Sequence, residues 1–117
     1  MGMQRVLLSR SAAGKAILVT GTSVATATLV HQALPGEGAL DEVYIKAANN
    51  HSEPVRVTVL WGDDDPEDLF SQVIPPRDGR IDLVQGDCLG NAQAIKVYAS
   101  VANVISITGH VNRILNE

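Results

Sequence analysis

The residues best equipped for chemistry in this chain are carboxylates. Asp63, Asp64, Asp65, Glu67 and Asp68 fill five of the six positions from 63 to 68, interrupted only by Pro66. Hard cations such as calcium need several convergent oxygens, and Asp63, Asp64 and Asp65 are the candidate ligands. The stretch lacks the alternating Asp-x-Asp-x-Asp-Gly order of a calcium loop, and a structural reading weighs more. Asp65 is a good N-cap, Pro66 suits the first position of a helical turn, and Glu67 and Asp68 favour its positive end. The expectation is a solvated turn that holds no metal or other cofactor tightly. A catalytic carboxylate pair ranks last, because no neighbouring residues propose a cleft or an electrophile.

The remaining reactive side chains are scattered. His31, His51 and His110 lie far apart, with no H-x-x-x-H or Cys-His spacing, and His51 falls in a polar turn. Cys88, in Gly86-Asp87-Cys88-Leu89-Gly90, stands beside a carboxylate, a poor neighbour for an activated nucleophile, and reads as a small buried or half-buried apolar residue. As the only cysteine it cannot form an internal disulfide. Ala16 to Ser23 imitates the first strand and turn of a short-chain dehydrogenase, but Val24-Ala25-Thr26-Ala27 follow where further glycines belong. Gly14-Lys15 fails as a phosphate loop, with Ser9 in place of the first glycine and Ala16 in place of the metal-binding hydroxyl. These residues propose no enzyme and no cofactor.

The elements that must carry these residues are strands. A chain of 117 residues is one domain. It is 45% hydrophobic and only 3% aromatic, so its core is built from Val, Ile, Leu and Ala, which leans towards β structure. A net charge of -4 argues against nucleic acid and membrane surfaces as partners. No run approaches the length of a membrane span or forms a clean secretory signal, and Val6 stands where a myristoylation motif wants Ser or Thr. Val55, Val57, Val59 and Trp61 share one face of a half-buried strand and are expected in the core. Leu40 to Ala48 alternates in the same way and is expected to form a hairpin with it across the polar stretch 49–54. Ile95 to Val101 and Ile105 to Val111 suggest a second hairpin, turning at Ala102-Asn103. Weaker strand candidates lie at Ala16 to Thr20, Thr26 to Ala33, Leu69 to Ile74 and Ile81 to Val84. About eight short strands at near-regular spacing point to a sandwich or small barrel over residues 15–117. Residues 1–14 read as an arm or short helix outside that domain, with Arg5, Val6, Leu7, Leu8 and Arg10 available to a partner surface.

The order of these pieces carries one further signal. Leu34-Pro35-Gly36, the strand Val43-Tyr44-Ile45-Lys46-Ala47-Ala48-Asn49, a turn and Val55-Arg56-Val57-Thr58-Val59-Leu60-Trp61 form a first half. After the acidic loop come Leu83-Val84-Gln85-Gly86-Asp87, Ile95-Lys96-Val97-Tyr98-Ala99-Ser100 and Val104-Ile105-Ser106-Ile107-Thr108-Gly109-His110-Val111. From about residue 24 to 112 this arrangement resembles a broad group of small virion proteins of tailed bacteriophages. It departs from them in its acidic loop and in lacking a terminal Glu-Leu ending. The resemblance implies an all-β, antiparallel sandwich of jelly-roll type with a short N-terminal arm. It also implies a capsid cement or decoration protein, or a head-fibre or tail accessory, located in the virion and bound to the major capsid protein or another virion protein. Such a protein is expected to be a homo-oligomer, a trimer first and a dimer second. The other readings are a carbohydrate- or receptor-binding sandwich and, last, a small hydrolase. Stacking platforms for sugar are limited to Trp61, Tyr44, Tyr98 and Phe70, two of them expected to face the core.

Overall fold

Alternating apolar and polar residues become nine strands in the computed structural model, which describes residues 2–115. In chain order they are β1 (Gly2–Leu7), β2 (Ile17–Leu18), β3 (Thr28–Gln32), β4 (Ala39–Asn49), β5 (Val55–Gly62), β6 (Leu69–Ile74), β7 (Arg80–Gly90), β8 (Ala94–Ala99) and β9 (Ile105–Leu115). The only helical pieces among the described residues are two 3-10 turns, Val24–Thr26 and Pro66–Asp68. Met1 and the Asn116-Glu117 end, where the terminal departure from the virion proteins lies, are outside the described residues.

One sheet has the order β1-β9-β4-β7, with the short β2 also on β9, and the other has the order β3-β8-β5-β6. All pairings are antiparallel. The chain changes sheet at nearly every connection, and β5–β6 is the only pair of consecutive strands joined as neighbours in one sheet. With the two-residue β2 set aside, the remaining eight strands, wound this way into two packed sheets of four, are a jelly roll. The expected all-β sandwich is therefore the fold of this chain.

Both expected hairpins are corrected by this order. β4 lies in the first sheet and β5 in the second, and the same separation holds for β9 and β8. Alternation shows which side chains face the core, and it is silent about which strand lies alongside. A two-residue turn would have forced pairing, whereas the five residues of 50–54 and of 100–104 are long enough to arch over the core. Asn49 builds the first arch. Its side chain is buried, donates to the carbonyls of Glu53 and Ile74, both at 3.0 Å, and accepts the His51 N–H at 2.8 Å.

The apolar faces meet as the composition requires. Val43, Ile45 and Ala47 of β4 and Ile105, Ile107 and Val111 of β9 are fully buried against Val57 and Val59 of β5 and Ile95 and Val97 of β8. Trp61 is half-buried, packed against that core from its margin rather than within it. β4 and β9 approach so closely that a Cβ on Gly109 would lie 2.0 Å from the Tyr44 carbonyl oxygen.

The N-terminal residues also differ from expectation. The stretch read as an arm outside the domain is an edge strand of the first sheet, with Gly2 opposite Leu115 and Val6 opposite Val111. Leu8 is buried in the core at 1% exposure. The chain then crosses to the second sheet, where Arg10 N–H donates to the Val30 carbonyl at 3.2 Å and Ser9 Oγ accepts the Gln32 N–H at 2.8 Å. A free edge on β9 and inward positions for Val6 and Leu8 bring this segment into the fold, and its few apolar residues were too short a run to show that in sequence.

Candidate functional site

The acidic loop is the turn of the β5–β6 hairpin, set at one end of the sandwich. Its local structure follows from its residues. Pro66 opens a single 3-10 turn after an extended Asp65, and the Asp68 N–H donates to the Asp65 carbonyl at 2.9 Å. The Asp65 side chain does not cap this turn; instead the Asp65 N–H donates to Asp63 Oδ1 at 3.0 Å. Carboxylate oxygens of Asp63, Asp65 and Asp68 lie within 4.8 Å of one another. Asp68 thus stands in the group where the sequence suggested Asp64. A hydrogen bond with Asp63, partial desolvation and the like charges of Asp63, Glu67 and Asp65 push the Asp68 carboxyl above its ordinary range. Three such oxygens fall short of the six to eight that calcium takes, so an ion here would be held largely by water.

A second polar group lies inside the sandwich. His31 and Asp41 are fully buried, and His31 Nε2 lies 2.7 Å from Asp41 Oδ2. Arg113 closes on the same carboxylate with two hydrogen bonds, Nε to Oδ1 at 2.8 Å and Nη2 to Oδ2 at 3.1 Å. Burial pushes the Asp41 carboxyl up, but the hydrogen bonds and charges of Arg113 and His31 outweigh it and hold the group below its usual range. His31 Nδ1 accepts the Ser9 N–H at 2.9 Å, which places the ring proton on Nε2, facing Asp41. Asp, His and Ser in this order imitate a hydrolase triad. Yet the Ser9 contact is its backbone, its hydroxyl serves Gln32, and both imidazole nitrogens are occupied. A general base needs a nitrogen that can reach substrate. The group instead ties β3, β4, β9 and the chain after β1 together.

Spacing alone hid this group, since its members are far apart in sequence. Parity could have found it. Asp41 continues the inward series of Val43, Ile45 and Ala47, and Arg113 continues that of Ile105, Ile107 and Val111. Two opposite charges on the inward positions of two strands imply a buried pair.

A third group covers the outer face of the first sheet. Tyr44 and His110 stack, with ring centroids 4.9 Å apart and planes 14° from parallel. The Tyr44 hydroxyl donates to Glu42 Oε1 at 2.7 Å, which raises the tyrosine's pKa and lowers that of Glu42. Asn112 Nδ2 donates to the same oxygen at 3.3 Å, and Arg5 Nε donates to Asn112 Oδ1 at 3.5 Å. Next to this polar band, Met3, Ile114 and Leu40 stand level across β1, β9 and β4, with Met3 63% and Leu40 47% exposed.

Of the residues singled out in the first segment, Arg5 and Leu7 are exposed, Val6 packs on the core, Leu8 lies within it and Arg10 is exposed beside β3. Cys88 is exposed, a correction to its apolar reading. The register shift of β7 opposite Val43 and Tyr44 turns Cys88 outward while Leu89 and Val84 point in. His51 serves the first arch through its backbone. No helix among the described residues is long and apolar enough to cross a membrane.

No protein-family model, curated protein or solved structure matches this chain. Geometry and chemistry alone carry the functional reading.

Proposed function

We propose that this protein is a structural virion protein, a cement or decoration protein that binds the major capsid protein and stabilises the head of a tailed phage. A tail or head-fibre accessory is the nearest variant of the same reading. The observation that carries it is the order of the two sheets, β1-β9-β4-β7 against β3-β8-β5-β6. The jelly roll is an architecture that capsid proteins share with lectins and cupins, and function must then be argued from surfaces. The outer face of the first sheet suits assembly: the apolar row Met3, Ile114 and Leu40 is bordered by Arg5, Asn112 and Glu42, an apolar centre with a polar rim. The acidic chain would take neither nucleic acid nor a membrane surface as partner.

Co-sedimentation with purified capsids tests this. Wild-type protein is expected to travel with the particles, and Met3→Asp with Leu40→Asp is expected to reduce its occupancy while the circular dichroism stays unchanged. Protein that never sediments with capsids would defeat the proposal. One observation favours a carbohydrate-binding reading as the second choice. Tyr44, Lys46, Asp82, Thr108 and His110 border a depression of about 400 Å³ on the same face. Retention on a glycan surface, lost in Tyr44→Ala, would favour it.

A further inference from the structure

The strands that flank β9 leave a gap. β1 covers it from His110 to Leu115 and β2 covers Ser106 and Ile107, so Thr108 and Gly109 have no paired strand on that side. The chain leaves the sheet there to bury Leu8 and returns past Gly14. Beside that gap lies the depression of about 400 Å³ on the outer face of the first sheet, a size that suits a small organic ligand.

Strand register sets its chemistry. Lys46 of β4 stands level with Thr108 of β9 and Asp82 of β7, and Arg80 stands level with Ala48, whose short side chain leaves room beside it. One wall is Tyr44 stacked on His110, and the tyrosine is fixed through its hydroxyl to Glu42. Lys46 and Arg80 are both exposed, and the ion pairs among the described residues gather at Asp41, so neither cation belongs to one. Lys15, also exposed, follows Gly14 at the rim. In a chain of net charge -4 this is a local excess of positive charge.

The same groups select among anions. Asp82 is the acidic member of the lining, and its Oδ2 accepts from Gln85 Nε2 at 2.7 Å. A carboxylate repels a bare polyanion and uses its remaining lone pairs for hydroxyl donors. An aromatic wall suits the apolar face of a ring. Lys46 and Arg80 suit an oxyanion, the guanidinium as a fork for two of its oxygens. A sugar ring that carries an acidic group meets all three requirements.

We propose that this depression binds a saccharide bearing an oxyanion, a carboxylate or a sulfate. The acidic group lies between Lys46 and Arg80, a ring hydroxyl donates to Asp82, and the ring rests against Tyr44. This inference rests on the carbohydrate reading and not on the capsid one. The outward residues Glu42 and Tyr44 separate Lys46 from Leu40 and the apolar row, so the two surfaces are distinct.

Calorimetric titration of the full chain with a uronic acid trisaccharide, a sulfated trisaccharide and a neutral trisaccharide tests it. At least one acidic probe should bind about ten-fold more tightly than the neutral one, and whichever does so names the oxyanion. Lys46→Ala with Arg80→Ala should remove that advantage while leaving the neutral probe and the circular dichroism unchanged, because both side chains are exposed. Lys46→Arg should retain it, and added salt should erode it in the wild type. A neutral trisaccharide that binds as tightly as the acidic ones overturns the proposal and leaves the carbohydrate reading standing. Binding of none of the three defeats both. Inorganic phosphate that binds as tightly as the acidic sugars also overturns it, since the site would then take the anion without the ring.

Discussion

Asp41 holds the most consequential charge in the molecule, because it is buried, ionised and shared by two partners. Asp41→Asn removes the charge that Arg113 and His31 face and should cost about 3 to 5 kcal/mol in urea unfolding, the cost of breaking a buried pair. Its pKa in the folded protein is depressed below the ordinary value of 3.8. A depressed carboxyl contributes stability that is fully present above its unfolded pKa and is lost as pH falls through the folded one. The wild type should therefore lose urea resistance as the pH drops below about 4, and Asp41→Asn should lose less over that window. At Gly109 the constraint is one of space. An added methyl would collide with the Tyr44 carbonyl, so Gly109→Ala should destabilise by about 3 kcal/mol, read from the same unfolding curves.

Elements show what alternation can and cannot reveal. Val57, Val59, Ile95 and Ile107 are buried as their parity predicts, because one face of a strand must leave water wherever a sheet packs on another. Partners were not legible, since the residues of 50–54 contain no two-residue turn signal and the decisive group, the Asn49 side chain, looks in sequence like one more polar loop residue. Removing it should expose the difference. Asn49→Ala leaves the Glu53 and Ile74 carbonyls and the His51 N–H without their partner, and about 2 to 4 kcal/mol of stability should go with them. Trp61 marks the other limit of the pattern. It has the parity of the core, but it sits at the end of β5 where the opposing sheet no longer covers it fully. Trp61→Ala should cost about 2 kcal/mol, less than the full loss of a buried ring. The candidate sites were legible in part: the acidic loop was visible as a run, whereas His31, Asp41 and Arg113 meet only once three strands have been placed.

At the scale of the whole molecule the first residues belong to the structure they precede in the chain. Deleting residues 2–8 removes β1 and the buried Leu8, and the backbone bond from Ser9 to His31 loses the strand that positions it. The truncated protein is expected to lose its cooperative unfolding transition, a result that circular dichroism on heating would show directly. A detachable arm would have left that transition in place. β9, which follows every other strand in the chain, lies between β1 and β4 and supplies the neighbour of each. As the polypeptide emerges from the ribosome, β1 and β4 are made long before their shared partner. Only the β5–β6 hairpin can pair with a strand made just before it. β4 and β7 can pair beforehand, but completion of the first sheet must wait until β9 is made; folding is governed by contacts distant in sequence, and a half-made chain exposes unpaired edges for the whole of that interval.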